Sequence, residues 1–334
     1  MKKRAILTLG ACLLAIAPLA AQNTPQSQME KLDRGVVALP RSSGSGNFVS
    51  WRFLGTDDED GTTFELLRNG QPIQGATSLY QTNYQDQSGT KDSEYQVVTW
   101  VNGVAVDTSA AIKPWQLVYN PIKLDRPATG ANGGTYSPND MSVGDVDGDG
   151  QYELFVKWDP SNSKDNSQSG ITDNVFIDCY KLDGTRLWRI DLGRNIRAGA
   201  HYTQFMVYDF DRDGKAEMMC KTGPGSLDGA GKFVHEAATD ETILAANGDA
   251  LYRNSDGRIT GGQEWLTVFR GATGEAIHTI FYNPNRDMGY GGAAGGSTNW
   301  GQPDGKNDAA SYGNRGERYL AAVAYLDGPD QPAS

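Results

Sequence analysis

Phe48, Val49, Ser50, Trp51, Arg52 and Phe53 alternate apolar and polar side chains, as a half-buried strand does. An acidic turn over residues 56–61 leads into a second strand-like run, residues 63–68. Asn69-Gly70 then supplies a two-residue hairpin signal, because both residue types tolerate the left-handed backbone that a tight hairpin turn demands. Residues 94–101 and 104–106 predict another hairpin around Asn102-Gly103. Six or seven short strands in roughly 85 residues suit an immunoglobulin-like or fibronectin-III-like β-sandwich. That module is expected over residues 22–114, with Lys113-Pro114-Trp115 as its exit.

From residue 115 onward the pattern becomes a repeat. Asp145, Asp147, Asp149, Gly150 and Glu153 precede the apolar run Leu154-Phe155-Val156-Lys157-Trp158. The same arrangement recurs 64 residues later, with Asp209, Asp211, Asp213, Gly214 and Glu217 ahead of Met218-Met219-Cys220. Strand-like residues lead into each copy (141–143 and 205–208), and a hairpin follows each (176–190 and 266–280). Two strand pairs per copy make a four-stranded unit of the kind that forms a β-propeller blade. The second copy carries a polar insertion over residues 223–263, and a third is expected to begin at residues 319–328. A propeller closes on at least about four blades. The fold class expected is therefore all-β, a sandwich followed by a partial propeller over residues 115–334.

Composition agrees with strands and turns: glycine supplies 41 of 334 residues, well above the usual share of roughly 7%. The net charge of −11 opposes general binding to phosphate backbones, so no nucleic-acid partner is expected. Residues 1–21 combine Lys2, Lys3 and Arg4 with an apolar run and a small-residue end at Ala20-Ala21, the layout of a secretory signal peptide. Leu9-Gly10-Ala11-Cys12 also resembles a lipoprotein box, but an apolar stretch follows Cys12. Loss of the leader takes the charge from −11 to −14 and sends the chain to the cell surface, the periplasm or the medium. No other segment has the roughly 18–20 apolar residues of a membrane span. Cys179 and Cys220, both in strand-like runs, are expected as buried free thiols.

The two acidic repeats suit a hard cation. Carboxylates at alternate positions point into one concavity, and glycine permits the sharp turn. The first Ca²⁺ loop would use Asp145, Asp147, Asp149, the Gln151 carbonyl and Glu153; the second, Asp209, Asp211, Asp213, the Lys215 carbonyl and Glu217. An EF-hand would place its bidentate glutamate at position 12, where Val156 and Cys220 stand, so strand-flanked structural loops are expected.

Several longer motifs point further. They are Ser137-Pro138-Asn139-Asp140, the first acidic loop, Lys157-Trp158-Asp159-Pro160-Ser161-Asn162 with its continuation to Gln168, and Arg197-Ala198-Gly199-Ala200-His201-Tyr202-Thr203-Gln204-Phe205. Residues 183–193 and Tyr312-Gly313-Asn314-Arg315 complete the set. In these the sequence resembles polysaccharide lyase family 11, the bacterial rhamnogalacturonan lyases, over essentially the whole mature chain. The resemblance implies an eight-bladed propeller with several calcium ions. It also implies β-elimination of the galacturonate–rhamnose backbone of pectic rhamnogalacturonan I, and Asn139 and Asp159 at family positions that line the substrate cleft. The repeat places Asn139 and residues 201–204 in equivalent slots before the first strand of a blade. Asn139 could equally cap its own turn, and Asp159 could join Asn162 and Asp165 around a calcium ion. The family's basic and tyrosyl cleft residues are implied in later blades beyond Ser334, so no catalytic residue is assigned, and His201 is a candidate base only. Residues 329–334 leave the family pattern. A different reading is a non-catalytic, calcium-stabilised adhesion or glycan-binding protein. A glycoside hydrolase is the third, and no carboxylate pair stands out for it.

Overall fold

The structure is a computed structural model that describes residues 30–41, 45–199, 201–259, 261–283 and 320–324. The expected leader at residues 1–21, the motif at residues 312–315 and residues 329–334 lie outside the described residues.

Near the N-terminus, seven short strands fold into two antiparallel sheets. The first sheet orders β1 (Val37–Pro40), β2 (Asn47–Ser50) and β5 (Asn83–Asp86). The second orders β4 (Gln71–Pro72), β3 (Thr62–Arg68), β6 (Tyr95–Val101) and β7 (Val104–Thr108). Both hairpin signals operate as expected: Asn69 and Gly70, then Asn102 and Gly103, all take positive φ. Inward residues of the two sheets, among them Ala38, Val49, Phe64, Leu66 and Val97, form one core. The alternating run at 48–53 stays in the ladder only to Ser50. Beyond it the Arg52 guanidinium leaves the sheet and stacks on Tyr152, 4.6 Å from the ring centroid.

The two repeats fold as two four-stranded antiparallel meanders. The first contains β8 (Tyr136–Gly144), β9 (Glu153–Pro160), β10 (Phe176–Tyr180) and β11 (Arg186–Asp191). The second contains β12 (Phe205–Tyr208), β13 (Glu217–Thr222), β14 (Trp265–Phe269) and β15 (Ala276–Phe281). One core joins them, with Phe155, Ile177, Trp188 and Ile190 of the first meeting Met218, Trp265 and Phe269 of the second. Full burial of each such side chain contributes about 1.5–3 kcal/mol. The joint is close enough to require glycine at 271, where an added Cβ would lie 1.9 Å from the Ala216 carbonyl oxygen. Trp188 Nε1 donates to the Gly271 carbonyl at 2.7 Å across the same joint.

The opposite face of the first sheet is covered by a separate cluster, with Tyr136, Val156, Trp158 and Tyr180 at its centre and Leu124 packed on it. On the far face of the second sheet Met206, Met219, Leu266 and Val268 remain partly exposed. The insertion at 223–263 holds a 3-10 turn (Val234–Ala237) and the short helix α1 (Glu241–Leu244), whose Asp240 cap accepts from two backbone N–H groups. Residues 320–324 carry no strand, so the third unit expected at 319–328 is not seen there, and the rest of it lies outside the described residues. Cys179 and Cys220 are free and buried, as expected. Among the described residues no helix is long and apolar enough to cross a membrane.

Candidate metal loops and substrate surface

Each acidic repeat forms the tight connection between the first two strands of its sheet, with strands and not helices on either side. In the first, Asp145 accepts from the Gly148 and Gly150 backbone N–H groups at 2.8 and 2.9 Å. Glu153 accepts from Val146 N–H at 3.0 Å, so the last carboxylate closes the loop on its own start. The second repeats this: Gly214 N–H donates to Asp209 at 2.9 Å and Phe210 N–H to Glu217 at 3.0 Å. Left-handed backbone is needed at Gly148 and Gly150 in one loop, and at Arg212 and Gly214 in the other.

Carboxylate oxygens of Asp145, Asp147 and Glu153 lie within 4.8 Å of one another, as do those of Asp209, Asp211 and Glu217. Asp149 and Asp213 turn one oxygen back on the chain, accepting from the Gln151 and Lys215 N–H groups at 2.8 and 2.9 Å. The donor set is all oxygen, and its outer members Asp145, Glu153, Asp209 and Glu217 are buried. Burial pushes the Glu217 carboxyl up to about 7; the Phe210 N–H offsets part of this, and Asp211, Asp209 and Asp213 add to it. Burial also raises Asp209 and Glu153. Such uncompensated carboxylates are what a bound divalent cation neutralises, so the residues fit a hard metal ion. The first loop already holds a cation of its own. Lys181 Nζ stands 2.6 Å from Asp147, 3.7 Å from Asp149 and 3.8 Å from Glu153. Its hydrogen bond holds Asp147 below the usual carboxylate range. Nothing in the spacing of the motif pointed to Lys181; only the pairing of β10 with β9 brings it there.

The substrate candidates fall along the opposite end of β8 and β9. Register runs Pro138 against Trp158 and Met141 against Val156, so Asn139 and Asp140 together oppose Lys157 in a β-bulge. This corrects the expected placement of Asn139: it lies inside a strand, exposed on the bulge, and not in a loop before it. The strand reaches back to Tyr136 because the Tyr136 ring is buried and packs edge-on against Phe176. Residues 201–204 do form the connection ahead of β12, so the two slots are not equivalent in the chain.

Asp159 is half-buried on β9 and accepts from Ser163 Oγ at 2.8 Å. Burial raises its pKa, with Ser163 and Lys157 acting the other way. Asn162 turns to Asp173 instead of Asp159, donating at 2.8 Å. Asp173 also accepts from the backbone and side chain of Asn132 and from Gly134 N–H, each at 2.8 Å. Burial alone would raise Asp173, but these donors outweigh it and hold the carboxyl low. His201 is exposed, and its carbonyl accepts from Gln204 Nε2 at 3.2 Å. Two residues on, Thr203 has φ +59°, a rare backbone for a β-branched residue that costs roughly 1–3 kcal/mol and clusters at binding sites.

This is an all-β protein in which antiparallel four-stranded sheets carry acidic loops that could hold a metal ion, beside a polar surface. The profile described as "Rhamnogalacturonan lyase family 11, C-terminal domain" matches residues 119–333, and "Rhamnogalacturonan I lyases beta-sheet domain" matches residues 27–115. The chain belongs to rhamnogalacturonan lyase family 11. It is 48% identical over 318 residues to the rhamnogalacturonan endolyase YesW of Bacillus subtilis, covering 94% of this chain and 46% of that protein. To the rhamnogalacturonan exolyase YesX of the same organism it is 50% identical, covering 90% of this chain and 45% of that protein. The crystal structure of YesW superposes with a TM-score of 0.77 over 92% of this chain and 48% of its own. The chain thus spans about half the length of the curated relatives it matches.

Proposed function

We propose that the chain forms part of an exported, calcium-stabilised lyase that cleaves the galacturonate–rhamnose backbone of rhamnogalacturonan I by β-elimination. The observation that carries this reading is the 48–50% identity, spread over nine-tenths of the chain, to one endolyase and one exolyase of this substrate. In the reaction a base takes the C5 proton of galacturonate and the C4–O bond to the leaving sugar breaks. A C4=C5 double bond forms, and the departing oxygen gains a proton. The difficulty lies in the acidity of C5, which improves when the neighbouring carboxylate is neutralised or hydrogen-bonded.

On this reading Asn139, exposed on its bulge, hydrogen-bonds sugar hydroxyls. Asp159 orients the chain of sugars beside it, and His201 is a base candidate at the same surface. Asp145, Asp147 and Glu153, with Asp209, Asp211 and Glu217, would hold calcium, which supplies neutralising charge that staples each turn when bound. The two meanders are the first blades of a propeller. The partly exposed row Met206, Met219, Leu266 and Val268 is then the face on which a further sheet of the same kind packs. The apolar leader at residues 1–21 supports export.

The test is to incubate the chain with rhamnogalacturonan I and Ca²⁺ and follow the ultraviolet absorbance of the unsaturated uronate. Growth of the signal is expected. Binding without it would support the glycan-binding alternative, and new reducing ends without it would point to hydrolysis.

A further inference from the structure

Lys157 is the one lysine in the apolar run 154–158 of β9, and its side chain is 2% exposed. A buried ammonium persists only where its protons are met by acceptors and its charge by a partner. Its partners lie on two segments far apart in sequence. One is the Asp140 carboxylate, on the bulge that also carries Asn139. The other is the Tyr202 carbonyl oxygen at 3.0 Å, in the connection that carries His201. Asp159 lies two positions along the same strand, so its side chain shares a face with Lys157.

The same connection is held by further ties. The Tyr202 hydroxyl accepts from Asn166 N–H at 2.7 Å. The Tyr202 ring occupies space that only glycine leaves at 199, where a Cβ would come within 2.6 Å of it. Thr203 then takes its left-handed backbone. A strained residue persists where its surroundings over-determine it, and Lys157 provides one of those constraints.

We infer that Lys157 is a positioning residue: its buried ammonium ties the Asn139–Asp140 bulge to the His201–Tyr202 connection and thereby sets the shape of the sugar-binding surface. The inference rests on the assignment of that surface to rhamnogalacturonan. It follows from the topology of the contacts. One buried cation bridges the two exposed segments, so its loss lets them shift relative to each other, and misplacement by about 1 Å at such a surface costs up to about 100-fold.

The experiment measures binding of rhamnogalacturonan I oligosaccharides to the full chain in Ca²⁺ by calorimetry, with thermal stability and amide hydrogen exchange of residues 199–204 in parallel. The variants are Asp140→Asn, Lys157→Met and Lys157→Arg. Asp140→Asn keeps an acceptor for the Lys157 ammonium but removes its counter-charge, so it is expected to lower the melting temperature and, in the molecules that stay folded, to weaken sugar binding about 10–100-fold and speed exchange at 199–204. Lys157→Met is expected to weaken binding at least as much, and Lys157→Arg, which keeps a donor and a charge, to recover part of it. A merely structural ion pair would lower the melting temperature without changing affinity per folded molecule, and that result overturns the inference. So does unchanged binding in Asp140→Asn when the parent chain binds. If the parent chain binds no oligosaccharide, the functional assignment itself fails and the inference falls with it. The two failures are told apart by the parent alone.

Discussion

The loops at residues 145–153 and 209–217 are the same device built twice, and they differ in what neutralises them. Their backbone-to-carboxylate hydrogen bonds match nearly one for one, from Gly150 and Gly214 at the sixth position to Val146 and Phe210 on the closing glutamate. Yet Lys181 reaches into the first loop. Its counterpart after β14 is Arg270, which instead lines a surface groove with Asp228, Glu236 and Glu275. The fourth position is Gly148 in one loop and Arg212 in the other, both left-handed. The consequence is electrostatic. Burial raises both closing glutamates; at Glu217 three aspartates add to the rise, whereas at Glu153 Lys181 works against it. Identical turn geometry does not imply identical cation demand; neighbours outside the motif set that.

The largest effect that tests this contrast is metal binding itself. Ca²⁺ at about 100 times its dissociation constant stabilises by roughly 2.7 kcal/mol per site, or about 4 °C in a chain of this size. Asp145→Ala and Asp209→Ala should each abolish one such increment in a thermal melt with and without a chelator. No calcium-dependent shift in the parent chain would remove the assignment of both loops.

pH gives the next contrast. A carboxyl whose pKa is raised in the folded state favours folding while protonated, and that contribution is lost as pH rises through the folded value. The metal-free protein should therefore lose stability between about pH 4.5 and 7, chiefly through Glu217. Calcium affinity should rise over the same window, because the ion takes the deprotonated form. Glu217→Gln should flatten both trends more than Glu153→Gln does, as read from denaturant midpoints at several pH values.

A smaller effect is expected from Lys181→Met. Partly exposed ion pairs contribute about 0.2–1 kcal/mol, so freeing the first loop of its ammonium should tighten calcium binding there by up to about fivefold. The second loop should not respond, which isothermal titration of Lys181→Met in the Asp145→Ala background, where the second loop is left to bind, resolves. The smallest is Arg212→Gly, which should stabilise the metal-free chain by up to about 1 kcal/mol by relieving a left-handed arginine. Gly148→Ala should cost a similar amount, and equal urea midpoints for both would erase the asymmetry.

Much of the architecture was legible in the chain. The two Asn-Gly pairs named their hairpins because few residues tolerate two consecutive left-handed positions. The repeated acidic turns marked the first connection of each sheet because alternating carboxylates with a following glycine form a concave bend from local geometry alone. The lone lysine in the run 154–158 was also visible, although its use was not.

What could not be read from the sequence is whatever depends on contacts between distant segments. The bulge at Asn139-Asp140 arises from register against β9, which pattern alone left one step out. Lys157 meets Asp140 and Tyr202 from segments far apart in sequence, and Lys181 enters the first loop only once β10 lies beside β9. Asn162 turns toward Asp173 because four donors converge there, a competition no spacing reveals. The all-β class, the repeat and the clustered carboxylates of the acidic turns were set by residues a few positions apart, because turns and periodic strands depend on near neighbours. Tertiary structure alone decided which cations stand against those acids and how the candidate sugar-binding segments meet. Electrostatic partners are chosen by distance in space, which the chain fixes only after it has folded.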